Sequence, residues 1–223
     1  AGERLKRIQI SESGRSDKRK SVPEERQALN QDIVLTHLSK RYGDHYVIQD
    51  LSRTFPCGQI TCLMAPSGSG KTTLLRLLMG LEVPDSGSIA GLEGRKKSAV
   101  FQDQIFGEEL SVYTNIRIMR KRKLFESEKQ EYERIRAELE KVGLSECIDQ
   151  KIKELSFGMR QRVALVRAFY ADWDVLFLDE PFRGMDKSTR EIVMEYTRRK
   201  CIGKQVLFVT HEEEEKEAME RYS

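Results

Sequence analysis

The 223-residue sequence predicts an α/β fold with a mainly parallel core sheet, antiparallel β strands at its N-terminal side and a helical subdomain inserted into the core. Three observations carry that prediction. A glycine-rich turn at residues 65–73, A-P-S-G-S-G-K-T-T, joins the short apolar run 60–64 to the leucine-rich run 74–79. Further apolar runs at 98–101, 175–178 and 205–210 each switch abruptly to polar residues, as strands buried on both faces of a parallel sheet do. Between the runs 98–101 and 175–178, from 103 to about 154, the sequence is charged and helix-favouring.

Composition bounds the partners. Residues 1–30 hold eight Lys/Arg against five Asp/Glu, so the whole net charge of +3 resides there and the body is balanced. This leading segment, rich in Ser, Glu, Lys and Arg, is expected to be a disordered basic tail. A balanced body argues against a broad nucleic-acid footprint, and no nucleic-acid partner is expected. No run approaches the roughly 18 apolar residues of a membrane span, and the charged start lacks the apolar core of a signal peptide. The expectation is a cytosolic chain. Cys57, Cys62, Cys147 and Cys201 form no C-x-x-C pair and are expected as reduced thiols.

Taken in order, residues 33–38 and 46–55 are β-favouring and flank the turn-prone Tyr42-Gly43-Asp44, which predicts an antiparallel pair. Tyr42 is either a packing residue at that turn or a ring that stacks on a purine. Residues 60–64 then form the strand that enters the glycine-rich turn. With a strand before it and a helix after it, this is the context of a P-loop. Backbone N–H groups of such a turn converge on an anion, and the following helix adds unsatisfied N–H groups and the positive end of its dipole. Gly68 and Gly70 let the backbone approach phosphates, Lys71 reaches them as a point charge, and Thr72 offers a hydroxyl to Mg²⁺. Ala65 stands where the pattern G-x-x-x-x-G-K-[ST] has its first glycine.

The helix 71–79 is expected to stop at Gly80, residues 84–94 to be turn-rich, and 98–101 to form a strand followed at once by Gln102. Residues 103–154 read as a helical insert, with the alternating charges of 129–142 facing solvent. Ser156 is placed to cap a helix running to Tyr170, which makes a second anion-friendly helix start. The run 175–178 ends in Asp179-Glu180-Pro181, and 205–210 ends in His211.

In an open parallel sheet, ligands bind beyond the carboxyl ends of the strands. Ala65, Gln102, Asp179-Glu180 and His211 should therefore ring one site. Asp179 suits Mg²⁺, directly or through water, Glu180 can polarise an attacking water, and His211 can hydrogen-bond a γ-phosphate. A buried acid pair kept for structure is the alternative for Asp179-Glu180.

With these residues placed, 31–223 resembles the ATP-binding subunit of an ABC transporter, with the helical subdomain at about 103–170. Residues 65–72 resemble Walker A, Gln102 the Q-loop glutamine, 155–159 the ABC signature, and 175–179 Walker B followed by the catalytic Glu180. Residues 182–186 resemble the D-loop, His211 the switch histidine and Tyr42 the adenine-stacking aromatic. The resemblance implies a P-loop NTPase that binds ATP and Mg²⁺. ATP would be contacted by Tyr42, Ala65, Pro66, Ser67, Gly68, Ser69, Gly70, Lys71, Thr72 and Thr73, and across a dimer interface by Ser156 and Gly158. It implies catalytic roles for Glu180, His211, Lys71 and Gln102, and metal contacts from Thr72, Gln102 and Asp179. It also implies a second ABC subunit, in a homodimer, and membrane-spanning permease subunits that place the chain on the inner face of the cell membrane. The function implied is ATP hydrolysis that energises small-solute transport, with a fainter likeness to nitrate, sulfonate and taurine importers. A degenerate nucleotide-sensing subunit and a non-transport ABC ATPase are the alternatives. Ala65 and Phe157 depart from the family's glycines, and the sequence stops soon after His211.

Overall fold

The computed structural model describes residues 31–64, 68–120 and 127–220. The expected basic tail at 1–30 and the cradle residues Ala65, Pro66 and Ser67 lie outside the described residues. Strands β1 (Ile33–Tyr42), β2 (His45–Phe55) and β4 (Ser86–Ala90) form an antiparallel sheet in the order β2-β1-β4. Strands β3 (Ile60–Met64), β5 (Lys97–Val100), β6 (Val175–Asp179) and β7 (Gln205–Thr210) form a parallel sheet in the order β3-β7-β6-β5. Its register pairs Leu63 with Val209 and Asp179 with Val209, so the carboxyl ends of β3, β6 and β7 are level.

The central strands β6 and β7 are buried at every position, which is why their sequences are continuous apolar runs without alternation. Their side chains nonetheless divide by the strand period of two. Leu176, Leu178, Val206 and Phe208 join one core with helices α2 (Val112–Arg117), α3 (Glu128–Glu140), α4 (Phe157–Tyr170), α5 (Lys187–Cys201) and α6 (Glu213–Glu220). Val175, Phe177, Leu207 and Val209 join the other core, with Leu74, Leu75, Leu77 and Leu78 of helix α1 (Lys71–Met79) and with β1. The parallel sheet is thereby covered on both faces. Among the described residues no helix is long and apolar enough to cross a membrane.

Three expectations change. Residues 84–94 contain a strand, β4, paired antiparallel with β1. Its S-G-S-I-A sequence is largely exposed, because an edge strand needs no apolar alternation. Gly87, at φ 85°, lies so close to the His37 carbonyl of the β1 bulge that no Cβ fits there. The stretch 103–154 is less helical than its composition suggests. Among its described residues, helices occupy Val112–Arg117 and Glu128–Glu140, with two 3₁₀ turns after them. The segment before α2 is held instead by the buried Asn115 side chain, which accepts from the Gly107 N–H at 2.9 Å and donates to the Gly107 carbonyl at 3.0 Å. Nor are all the charges of α3 solvated. Glu131 is 1% exposed, accepts a hydrogen bond from the Tyr170 hydroxyl at 3.1 Å and lies 3.8 Å from Arg117 Nε.

Candidate functional site

The cradle starts from two left-handed glycines. Gly68 (φ 80°) and Gly70 (φ 86°) turn the chain between β3 and α1, with Ser69 exposed between them. Gly70 is the N-cap residue of α1 and accepts the Leu74 N–H at 2.8 Å. A Cβ on Gly70 would stand 2.7 Å from the Val47 carbonyl, so only glycine fits. Lys71, Thr72 and Thr73 make the first turn of α1, where the helix leaves its N–H groups without intrahelical partners. These three residues and the two glycines line a cavity of about 280 Å³ that also meets Gln102, Asp179 and Glu180.

Asp179 closes the floor. Its carboxylate is 1% exposed and accepts the Thr72 hydroxyl at 2.6 Å. Burial pushes the Asp179 pKa up, against the Thr72 hydrogen bond, and the neighbouring Glu180 charge pushes the same way. A buried carboxyl held beside a hydroxyl, with a side-chain amide in the same cavity, is an all-oxygen donor set that suits a hard cation.

Glu180 leaves the sheet with its backbone in the left-handed region, at φ 47°. Its N–H donates to the Val209 carbonyl at 2.9 Å, and its own carbonyl accepts Gln161 Nε2 at 3.3 Å and the Arg183 N–H at 3.2 Å. The twist turns the side chain out toward a second cavity of about 460 Å³, lined by Lys71, Gln102, Glu180, Arg183 and His211. There Glu180 Oε1 is 3.4 Å from His211 Nδ1 and Oε2 is 3.8 Å from Arg183 Nη1. The two cavities share Lys71, Gln102 and Glu180.

Gln102 is brought in by a tethered loop. Arg167 of α4 donates to the Ile105 carbonyl at 2.6 Å and lays its guanidinium over the Phe106 ring, 4.2 Å from the centroid. Tyr42 stands at the end of β1 with its ring half exposed. Its hydroxyl donates to Glu82 and faces Thr73 of the cradle helix, and the Glu82 contact raises its pKa. Ser156 caps α4 by accepting the Met159 N–H at 3.3 Å. Neither Ser156 nor Gly158 lines the cavities of its own chain. Phe157 is 53% exposed and rests on Gly184, whose carbonyl in turn crowds Gly158.

Among the described residues, Lys71, Thr72, Thr73, Gln102, Asp179 and Glu180 line one cavity, and Lys71, Gln102, Glu180 and His211 line the other. Gln161 escaped the sequence reading, and Arg183 entered it only within the 182–186 motif. Gln161 sits between two arginines in a helix, yet it is 1% exposed.

A family model described as ABC transporter matches residues 48–183. A sulfate/thiosulfate import ATP-binding protein of Ralstonia nicotianae is 37% identical over 198 residues, covering 82% of this chain and 53% of that protein. The protein of the same description from Synechococcus elongatus is also 37% identical, over 82% of this chain and 56% of its own length. The chain spans about half the length of these curated relatives. A solved inward-facing structure of an ABC transporter of metal-chelate type superposes with a TM-score of 0.69 at 23% identity, over 86% of this chain and 77% of that one, and shares the fold.

Proposed function

The chain belongs to the ABC transporter family, and from that premise we propose that it is an ATP-hydrolysing subunit that energises import of a small solute through a membrane-spanning permease. The observation that carries this reading is the convergence of Lys71, Gln102, Glu180 and His211 on one cavity, beside the Thr72–Asp179 pair. The names of the relatives support import as the direction; the sulfate and thiosulfate in those names belong to those proteins.

In this reading the phosphates of ATP lie in the glycine turn, residues 65–70, and on the N–H groups that open α1. Lys71 supplies a positive charge, Thr73 completes the cradle, and the Tyr42 ring offers a face to the base. Glu180 accepts the proton of a water whose oxygen bonds to the γ-phosphorus as the bond to the β–γ bridging oxygen breaks. ADP and inorganic phosphate leave. His211 hydrogen-bonds the γ-phosphate from beside Glu180. Thr72, Asp179 and Gln102 would hold Mg²⁺, which supplies charge neutralisation on the phosphates. Ser156 and Gly158 serve the cradle of a second copy, because they stand apart from their own. Residues 31–223 act as one ATP-binding domain whose helical subdomain, about 103–170, meets the permease at the inner face of the membrane, with 1–30 as a basic tail.

Glu180→Gln tests the assignment. ATP binding by calorimetry should persist while steady-state turnover falls by about 10²-fold or more, the scale of a lost general base. The exposed Phe157 ring at the start of α4 favours a second reading, a nucleotide-sensing subunit with little hydrolysis. Turnover in the parent no higher than in Glu180→Gln would decide for that one.

A further inference from the structure

His211 is aimed from behind. It is the first residue after β7, and its imidazole reaches Glu180 at 3.4 Å although more than half of its side-chain surface is exposed. The ring's other carboxylate neighbour, Glu212 Oε1 at 3.3 Å from Nε2, is itself exposed, so the chain direction at the end of β7 decides where the ring points. That direction is set by Thr210, which is 1% exposed. The Thr210 hydroxyl accepts the Glu212 N–H at 3.1 Å and donates to Glu215 Oε2 at 2.5 Å, which folds the chain into a tight turn around His211. Glu215 lies on the buried side of α6 at 5% exposure, and its other oxygen is 3.9 Å from Arg190 Nη1 of α5. Arg190 is in turn tied to the start of α5, its N–H donating to the Asp186 carbonyl at 2.9 Å.

We propose that Thr210 and Glu215 are positioning residues that hold His211 against Glu180, with Arg190 anchoring Glu215 to α5. The proposal rests on the reading of Glu180 and His211 as a functional pair and adds the residues that keep them paired. A buried carboxylate is costly unless hydrogen-bonded and charge-compensated. Burial pushes the Glu215 pKa up, with the Thr210 hydroxyl and the Arg190 charge acting the other way. Glu212, Glu213 and Glu214 are exposed; Glu212 joins the turn through its N–H, and Glu215 is the buried carboxylate of this acidic run that bonds to Thr210.

The test uses Thr210→Val, which keeps shape and removes the hydroxyl, Thr210→Ser, which restores it, and Glu215→Gln. Thr210→Val should lower kcat for ATP by about tenfold or more, the effect of one mis-set catalytic group, with KM nearly unchanged; Thr210→Ser should recover most of it. Glu215→Gln should fall between, since an amide still accepts from Thr210 but gives Arg190 no charge. The second readout needs no turnover. In the parent, Glu180→Gln should shift the His211 imidazole resonance, assigned by comparison with His211→Asn. In Thr210→Val that response should fall to less than half. An undiminished His211 response in Thr210→Val overturns the proposal even where kcat falls, because the residue would then act through the fold alone. A parent that hydrolyses no ATP would defeat the functional reading, while the imidazole response still decides the placement of His211.

Discussion

Single backbone angles and single caps set up this site. At Glu180 the sheet must end and the side chain must leave a wholly buried strand for a polar cavity, within one residue. A left-handed φ of 47° accomplishes the turn. Such a conformation costs a residue with a Cβ about 1–2 kcal/mol, which two backbone hydrogen bonds and the one from the Gln161 side chain offset. Six residues on, Asp186 caps α5. It accepts the Thr189 N–H at 3.0 Å and the Ser188 and Thr189 hydroxyls at 2.7 Å each. The Thr189 N–H, and after it these hydroxyls, hold its carboxyl well below the usual carboxylate range. A depressed acid stabilises the fold fully above its unfolded value, near 3.9, and loses that stabilisation as pH falls through the lower folded value. Asp186→Asn keeps an acceptor at the cap and removes the titration. The stability difference between parent and variant should therefore be flat above about pH 4 and shrink below it, read from thermal melts across pH. A difference independent of pH would remove Asp186 from the acid-labile groups.

Between elements, the telling contact joins the start of α4 to the turn that links β6 with α5. Phe182 is buried there, its ring 5.8 Å from that of Phe208, and anchors the turn; Gly184 at φ 76° carries it past the Phe157 ring. A Cβ on Gly184 would run into that ring. Gly184→Ala should destabilise by about 2–4 kcal/mol in urea unfolding, combining the left-handed penalty with overpacking. Adding Phe157→Ala should recover the overpacking part and leave the backbone part. Equal losses in the single and double variants would show that the ring yields freely. The sequence displays Phe157 as an unusual aromatic at a helix start, but its partner, twenty-seven residues further on, is invisible there. Legibility follows burial. The central strands β6 and β7 were readable because strands buried on both faces are apolar throughout and turn polar where they end, whereas β3 and β5, at the edges of the same sheet, are only partly buried. The edge strand β4 was not readable, since exposure removes the pattern. Glu131, Gln161 and Glu215 were hidden for a related reason: each is a buried polar residue in a charged run, and only tertiary hydrogen bonds distinguish it from its solvated neighbours.

Across the whole molecule, the cradle and the start of α4 are separate. The cradle, with Lys71 and the strand ends, opens at the carboxyl edge of the parallel sheet, whereas Ser156 stands exposed at the start of α4 and lines neither cavity. A helix start capped by a serine is electrically suited to an anion. A second copy related by a two-fold axis would bring each Ser156 to the other's cradle, since an isologous pairing makes both contacts at once. Lys71→Ala spoils the cradle of its own chain, and Ser156→Arg spoils the face that chain offers its partner, so either variant alone has no intact site. In an equimolar mixture half of the pairs are mixed, and each mixed pair has one intact site of two, built from the Ser156→Arg chain's cradle and the Lys71→Ala chain's helix start. If the sites act independently, mixing should restore roughly a quarter of the parental ATPase rate. A mixture no more active than the two variants separately would mean that the site is complete within one chain or that a mixed pair does not turn over. Measuring ATP-dependent pairing of the mixture by light scattering separates those two outcomes.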